Sequence, residues 1–206
     1  MNGIAKYKMI IANLFENDND GTMSLWHGGR GLEFTYDTML PHKKGRWEHG
    51  PGLYLTTHFD TASKYAKGGG KVYLVTIAKG TNIKDVFVSV SDAIDFTKRY
   101  VIAKHKQNII DDLENIAKRR SDNMVPLVSL SNLCLNYEAL SSNNTIALRN
   151  FLVENGADYE ISTRFGGRDE TVIIVFNPKI IKSVKPIKTS DVDSSERVKT
   201  VTEIQK

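Results

Sequence analysis

The chain has little cysteine, and this shortage limits the sites that it can build. Its 206 residues contain a single cysteine, Cys134. One thiol cannot form an internal disulfide or a zinc centre made of several cysteines. Leu133 and Leu135 flank it, so we expect a buried and unreactive thiol.

Patterns typical of metal and phosphate sites are missing as well. The five histidines are dispersed, and the sequence shows no His-Glu-x-x-His or mixed Cys/His spacing, so we expect chemistry without a metal. Three glycines, Gly68 to Gly70, precede Lys71, but Val72 stands where a nucleotide phosphate loop needs serine or threonine. We interpret this segment as a turn between a helix and a strand.

Long apolar runs are scarce. Segments such as Val172 to Phe176 are far too short to span a bilayer. The first residues show no basic region followed by an apolar one. We therefore expect a protein without a signal peptide or transmembrane segment, located in the cytoplasm of the producing or target cell.

What the chain does contain is typical of a globular domain. Hydrophobic residues make up 40% of it and charged residues 25%, which suits one domain with a full core. We predict that residues 1–188 form this domain and that the polar residues 189–206 form a flexible tail. The net charge of +4 suits an acidic ligand and is compatible with nucleic acid.

A predicted strand, helix and strand over residues 52–77 organise the sequence. The first strand carries Tyr54, and the helix has Ala62, Tyr65 and Ala66 on one face. Two tyrosines eleven residues apart, one on a strand and one in the next helix, can face the same cleft. There they would enclose a flat aromatic ring, since stacked rings attract each other by about 0.5 to 1.5 kcal/mol.

Hydrophobic periodicity predicts the remaining elements. The helix that carries Tyr65 should begin at Asp60 or Thr61, and the last helix should be capped by Asn143 or Asn144, because these side chains are good N-caps. The segment 85–140 is mainly helical, and we interpret it as an insertion. The other predicted elements are helices over 4–15, 91–106 and 107–120 and strands over 72–77, 159–163, 170–176 and 180–187.

Three short motifs occur in order along the chain. They are Leu25-Trp26-His27-Gly28, then Gly52-Leu53-Tyr54-Leu55 with Tyr65 eleven residues after Tyr54, and finally Glu170 ahead of Phe176-Asn177-Pro178. Together they resemble the poly(ADP-ribose) polymerase-like ADP-ribosyltransferases of the H-Y-E type, and the chain resembles a small bacterial or phage mono-ADP-ribosyltransferase. The resemblance covers residues 25–77 and 156–181 and leaves the middle of the chain uncovered.

The resemblance implies a fold, a co-substrate and a set of site residues. It implies an α+β domain built on the split antiparallel sheet of ADP-ribosyltransferases, with flanking helices and the helical insertion. The implied co-substrate is NAD, with no metal. In the implied catalytic set, His27 holds the adenosine ribose, Tyr65 flanks the nicotinamide ring, and Glu170 stabilises the nicotinamide ribose.

The remaining NAD contacts also follow from the resemblance. Gly28 would bind the nicotinamide carboxamide through its backbone N–H and C=O groups, and Tyr54 would flank the ring opposite Tyr65. Arg30, which follows the first motif, belongs to the same NAD-binding set. The family serine three residues before the helix tyrosine is replaced by Ala62, so its contact is lost or is made by Ser63.

The identity of the catalytic carboxylate is open between two residues. Glu170 lies two residues further from Phe176 than the family spacing. Because a strand repeats every two residues, Glu170 still shares a face with Val172 and Ile174. Asp169 is the competitor, and its side chain would point the other way; we favour Glu170.

The implied activity is the cleavage of NAD and the transfer of ADP-ribose to a macromolecule. The acceptor is a protein side chain or a DNA or RNA base, and the context is a toxin, defence or phage effector, for which a neutralising antitoxin would be a partner. Lys118, Arg119 and Arg120 are candidate acceptor-binding residues, with a solvated surface as the alternative. The competing functions are an NAD glycohydrolase and a catalytically inactive module that binds NAD or ADP-ribose.

Overall fold

The computed structural model describes residues 21–29, 50–66, 68, 70–162 and 170–188, without the side chains of Ser142 and Asn143. The helix predicted over 4–15 and the predicted tail 189–206 lie outside the described residues. The strands are β1 Thr22–Gly29, β2 Leu53–Thr56, β3 Lys71–Ala78, β4 Phe87–Ser89, β5 Met124–Pro126, β6 Tyr159–Ser162, β7 Val172–Val175 and β8 Ile181–Ile187. The helices are α1 Phe59–Tyr65, α2 Val90–Tyr100, α3 Ala103–Lys118, α4 Leu127–Asn136 and α5 Ser142–Glu154.

The fold is α+β, and its central element is a six-stranded sheet in the order β6-β7-β2-β1-β3-β8. Every pair of neighbouring strands in it is antiparallel. β1 and β3 pair over their full lengths, and β2 and β7 pair over theirs. In the described ranges, Trp26↔Thr56 is the one pair that joins β1 to β2. The sheet therefore consists of two halves that meet at a narrow seam.

The two halves curl toward each other around a shared core. The chain that leaves β3 reaches β6, where Asn82 forms a bridge with Tyr159 and the Thr81 carbonyl accepts from the Asp158 N–H. Since β7, β2 and β1 separate β6 from β3 in the sheet, this contact requires a strongly bent sheet. The concave side buries apolar residues from both halves, among them Leu25, Val75, Ile77, Leu55, Ile161 and Ile173.

Helices cover the outer face of the sheet. Val172, Ile174 and Phe176 pack into a second core formed largely by residues of α2 to α5, the segment predicted as an insertion together with the helix after it. The predicted helices 91–106 and 107–120 are instead divided between α2 and α3 at residues 101 and 102. There the backbone is extended, because Val101 bridges Leu140 and the Ile102 N–H donates to the Ala139 carbonyl.

The start and the inner face of α1 differ from the prediction. The N-cap is His58, without a side-chain cap bond, and not Asp60 or Thr61. The buried residues of the helix are Phe59 and Ala62, and Tyr65 is 69% exposed. Phe59 packs edge-to-face on Trp26 at 5.1 Å between ring centroids, and this contact sets both the start of the helix and the face that it buries.

The start of α5 also differs from the prediction. Its N-cap is Ser141, whose side chain accepts from the Asn144 N–H, so neither Asn143 nor Asn144 is the cap. Four consecutive residues, Ser141 to Asn144, are good N-cap types. Local preference therefore does not select one of them.

Cys134 is buried in α4, which confirms its expected burial, and this burial raises the pKa of the thiol to about 12. Among the described helices, none combines the length and the apolar character that crossing a membrane requires.

Candidate active site

His27 lies near the end of β1 and bonds across the seam to β2. Its Nδ1 is 2.9 Å from the carbonyl oxygen of Tyr54. A carbonyl oxygen only accepts, so Nδ1 donates and, in the neutral ring, Nε2 keeps its lone pair. Burial lowers the pKa of His27, and the bond to Tyr54 counteracts this only in part. At pH 7 the ring is therefore neutral and presents Nε2 as an acceptor.

Gly29 leaves space beside that acceptor. A Cβ atom at Gly29 would lie 2.8 Å from Nε2 of His27, closer than the contacts that real side chains make. The ring of Tyr73, on the neighbouring strand β3, has its centroid 6.4 Å from that of His27. The imidazole is thus fixed on one side by β2 and flanked on the other by β3.

The peptide groups of Gly28 point into the seam. Lys79 N–H donates to the Gly21 carbonyl, so the odd-numbered residues of β1 bond to β3 and the even-numbered ones turn toward β2. Trp26 is paired there with Thr56. Gly28 comes two residues later, beyond that single pair, so its N–H and C=O are directed into the opening between the two halves.

Gly28 is also required by the packing of α1. A Cβ atom at this position would lie 1.7 Å from the backbone oxygen of Ala62. No side chain fits into that space, so the helix approaches the strand closely only because residue 28 is glycine. The Gly28 peptide is therefore held between α1 on the outer face and the open seam.

Tyr54 follows a turn that two glycines make possible. Gly50 has φ of 104°, a conformation that suits glycine, and its carbonyl accepts the hydroxyl of Tyr54 at 2.9 Å. A Cβ atom at Gly52 would lie 2.6 Å from the Val175 oxygen, so glycine is also needed for β2 to approach β7. The half-buried ring of Tyr54 packs against the helical core.

Glu170 is a buried carboxylate beside the end of β2. Its residue is only 3% exposed, so the solvated position that is most common for a glutamate ahead of a strand does not apply. Oε1 accepts from the Thr56 hydroxyl at 2.6 Å. Oε2 is 3.8 Å from Nδ1 of His58. Thr56 is the strand partner of Val172, so the Glu170 side chain extends along the chain direction to the level at which β7 begins.

Strand β2 thus contacts both ionisable groups of the predicted site. It holds His27 through the Tyr54 carbonyl and Glu170 through the Thr56 hydroxyl. The three sequence motifs lie on or next to β1, β2 and β7. These three strands are neighbours in the sheet. His27 and Glu170, which are 143 positions apart in the sequence (170 − 27), thus both contact β2.

Tyr65 and Ser63 occupy different settings on α1. Tyr65 is the last residue of the helix and is largely exposed. Its ring is available to solvent and to a ligand. Ser63 donates its hydroxyl to the Asp60 carbonyl at 2.9 Å, so its proton is already used within the helix and its oxygen remains an acceptor.

The candidate acceptor-binding residues lie at the C-terminal end of α3. Arg120 forms an ion pair with Asp122 at 2.8 Å and stacks on the ring of Phe87 at 4.6 Å. Lys118 is 3.9 Å from Glu114. The positive charge of this surface is therefore partly neutralised within the protein.

Two of the predicted residues cannot be placed. Arg30 of the NAD-binding set and Asp169, the competitor of Glu170, lie outside the described residues. In the ranges that are described, His, Cys, Asp and Glu side chains form no group of three or more that could hold a metal ion.

Sequence reasoning missed Thr56 and His58. Thr56 is buried at the end of β2, where its hydroxyl also accepts from the His58 N–H at 3.0 Å. Nε2 of His58 is buried and has no hydrogen-bond partner among the described residues. The only local signal is a Thr-Thr-His sequence between a strand and a helix, and nothing in that spacing points to a glutamate 114 residues later.

Comparison with known proteins adds no relative. No protein-family model matches the chain, and neither the curated proteins nor the solved structures contain a match. The resemblance to ADP-ribosyltransferases therefore rests on the three sequence motifs alone.

Proposed function

We propose that the protein is a mono-ADP-ribosyltransferase that uses NAD as its co-substrate. One observation carries this proposal. The buried carboxylate of Glu170 and the neutral imidazole of His27 are both bonded to β2, the strand that carries Tyr54. These are the residue types that the resemblance assigns to the NAD site, and they come from separate parts of the sequence.

The shape of the sheet supports the same function. The resemblance implies a split antiparallel sheet, and here two antiparallel halves meet at the single described pair Trp26↔Thr56. Gly28 and Tyr54 lie beside the opening. A dinucleotide bound there would meet the Gly28 peptide groups and the Nε2 acceptor of His27 from neighbouring positions on β1.

The proposed chemistry needs few groups. The bond between nicotinamide N1 and ribose C1′ breaks with its electron pair going to the nicotinamide, which leaves neutral, so no general acid is required. Positive charge develops on the ribose, as in other glycosyl transfers. A carboxylate beside that ribose stabilises this charge. The acceptor atom then bonds to C1′ and releases its proton to water.

Each described site residue has a role in this scheme. Glu170 stabilises the developing charge and accepts a hydrogen bond from a ribose hydroxyl. His27 accepts a hydrogen bond from a hydroxyl of the adenosine ribose through Nε2, and Gly28 binds the carboxamide of the nicotinamide. Tyr54 and the exposed Tyr65 flank the nicotinamide ring, which fixes it for the reaction.

Transfer of label from tagged NAD into a whole-cell extract tests the proposal. We expect labelled macromolecules with the wild type and at least about a hundredfold less label with Glu170→Gln, since preorganised electrostatic groups contribute on that scale. Glu154→Gln, which changes an exposed glutamate of α5, is the matched control and should retain full transfer.

Digestion of the labelled extract identifies the acceptor class. Label that is lost on nuclease treatment and survives protease indicates a DNA or RNA base, and the reverse indicates a protein side chain. Release of nicotinamide without labelled macromolecules would replace the transferase with an NAD glycohydrolase. If NAD binds but no nicotinamide is released, the protein is a binding module and the proposal is wrong.

A further inference from the structure

The end of β2 holds Glu170 through two consecutive threonines. Thr56 donates its hydroxyl to Oε1 of Glu170 at 2.6 Å. Thr57 fixes the backbone next to it, since its N–H donates to the Thr171 carbonyl and its hydroxyl oxygen accepts the Thr171 N–H, both at 3.1 Å. The three threonines and Glu170 are all buried, so water does not compete for these bonds.

The direction of the bond from Thr56 is determined by its surroundings. The hydroxyl oxygen of Thr56 accepts from the His58 N–H at 3.0 Å. A backbone N–H only donates, so the hydroxyl proton of Thr56 is free to go to Glu170. A hydroxyl that donates to a carboxylate at 2.6 Å forms a strong, charge-assisted hydrogen bond.

This bond distinguishes the two oxygens of Glu170. Oε1 accepts the hydroxyl proton of Thr56, whereas Oε2 lies 3.8 Å from Nδ1 of His58, which is too long for a hydrogen bond. We infer that Thr56 is a positioning residue that fixes the Glu170 side chain and directs Oε2 alone toward the ribose of the substrate. This inference rests on the proposed function.

Replacement of Thr56 by a residue of the same shape tests the inference. In Thr56→Val the hydroxyl is absent, and we expect kcat for nicotinamide release to fall about tenfold or more, since a hydrogen bond to a charged group is lost. KM for NAD should change by less than about twofold, because the bond acts on the carboxylate and not on the dinucleotide. Thr56→Ser keeps the hydroxyl and should restore most of kcat.

A matched control separates this effect from the general loss of a threonine hydroxyl that is bonded within the sheet. Thr76 on β3 bonds to Ser24 at 2.9 Å in another part of the sheet, and Thr76→Val should leave kcat unchanged. Should Thr56→Val fail to fold, Thr56→Ala removes the same hydroxyl with a smaller side chain and is compared with Thr56→Ser in its place.

The outcomes distinguish this inference from the proposed function. If the wild type cleaves NAD and Thr56→Val or Thr56→Ala has the same kcat, the positioning role is wrong while the function stands. Equal losses in the Ser and Val variants would likewise overturn it. If the wild type releases no nicotinamide, the proposed function fails and the positioning role fails with it.

Discussion

Adding one methyl group at Gly28 should mainly lower stability, whereas adding one at Gly29 should cost little stability and mainly disturb the candidate site. Neither residue has a φ in the range that disfavours side chains, so alanine is acceptable to the backbone at both positions. The difference lies in what the new Cβ meets. At Gly28 it meets the Ala62 oxygen at 1.7 Å and the Ala62 carbonyl carbon at 2.6 Å, and both are helix backbone.

Because a helix backbone cannot rotate away, Gly28→Ala should displace α1. Relief of the contact requires a shift on the order of 1.5 Å, which also loosens the packing of Phe59 on Trp26. Overpacking of this kind costs about 1–3 kcal/mol, and we expect the free energy of unfolding to fall by the upper end of that range. For a chain of this size this corresponds to a decrease in Tm of about 10 °C.

Gly29→Ala should cost far less stability and should disturb His27. The nearest atom to its Cβ is Nε2 of His27 at 2.8 Å, the end of a side chain that can rotate. We expect a loss below about 1 kcal/mol, as for most tolerated substitutions, together with weaker NAD binding because Nε2 is displaced.

Urea denaturation followed by circular dichroism measures both stabilities, and isothermal titration with NAD measures binding. An unchanged m value shows that the same surface is exposed on unfolding in each variant. Equal stability of the wild type and Gly28→Ala would refute the close approach of α1 to β1. A greater loss of stability in Gly29→Ala than in Gly28→Ala would refute the assignment of the two glycines.

Two further predictions concern charge. The pKa of His27 is lowered by burial, so the unfolded chain takes up a proton before the folded protein does as the pH falls below about 6.5. The free energy of unfolding of the wild type should therefore fall relative to that of His27→Gln by at most about 1.4 kcal/mol per pH unit. If the free energies of unfolding of the two proteins change in parallel from pH 7 to 5, this prediction is wrong. Simultaneous replacement of Lys118, Arg119 and Arg120 by Ala should weaken transfer to the macromolecule several-fold and leave NAD cleavage intact. Label transfer and nicotinamide release are measured side by side. Unchanged transfer would show that this surface does not bind the acceptor.

The strands of the site could be predicted because their sequences carry strong local signals. Residues 71–78 are rich in β-branched and aromatic types, and the observed β3 confirms the strand predicted over 72–77. The predicted α+β class is also confirmed, because the structure combines an antiparallel sheet with helices. The helix starts were not predictable to the residue, because Asp60 and Thr61 look like caps while the helix is fixed by the contact of Phe59 with Trp26.

The environment of the candidate site could not be predicted from local signals. The burial of Glu170 depends on Thr56, 114 residues earlier, and on a strand pairing that the sequence does not specify. The exposure of Tyr65 follows from the face that α1 buries, which tertiary packing decides. Motif order predicts that His27, Tyr54 and Glu170 belong to one site, and the hydrogen bonds by which His27 and Glu170 contact β2 are seen only in the three-dimensional structure.

The most direct test of the account is the release of nicotinamide from NAD by the purified protein, with Glu170→Gln and Glu154→Gln assayed in parallel. We predict release by the wild type and by Glu154→Gln and a loss of at least about a hundredfold in Glu170→Gln. Full activity of Glu170→Gln would show that the buried carboxylate beside Thr56 is not the catalytic group, and no release by any of the three would contradict NAD cleavage altogether.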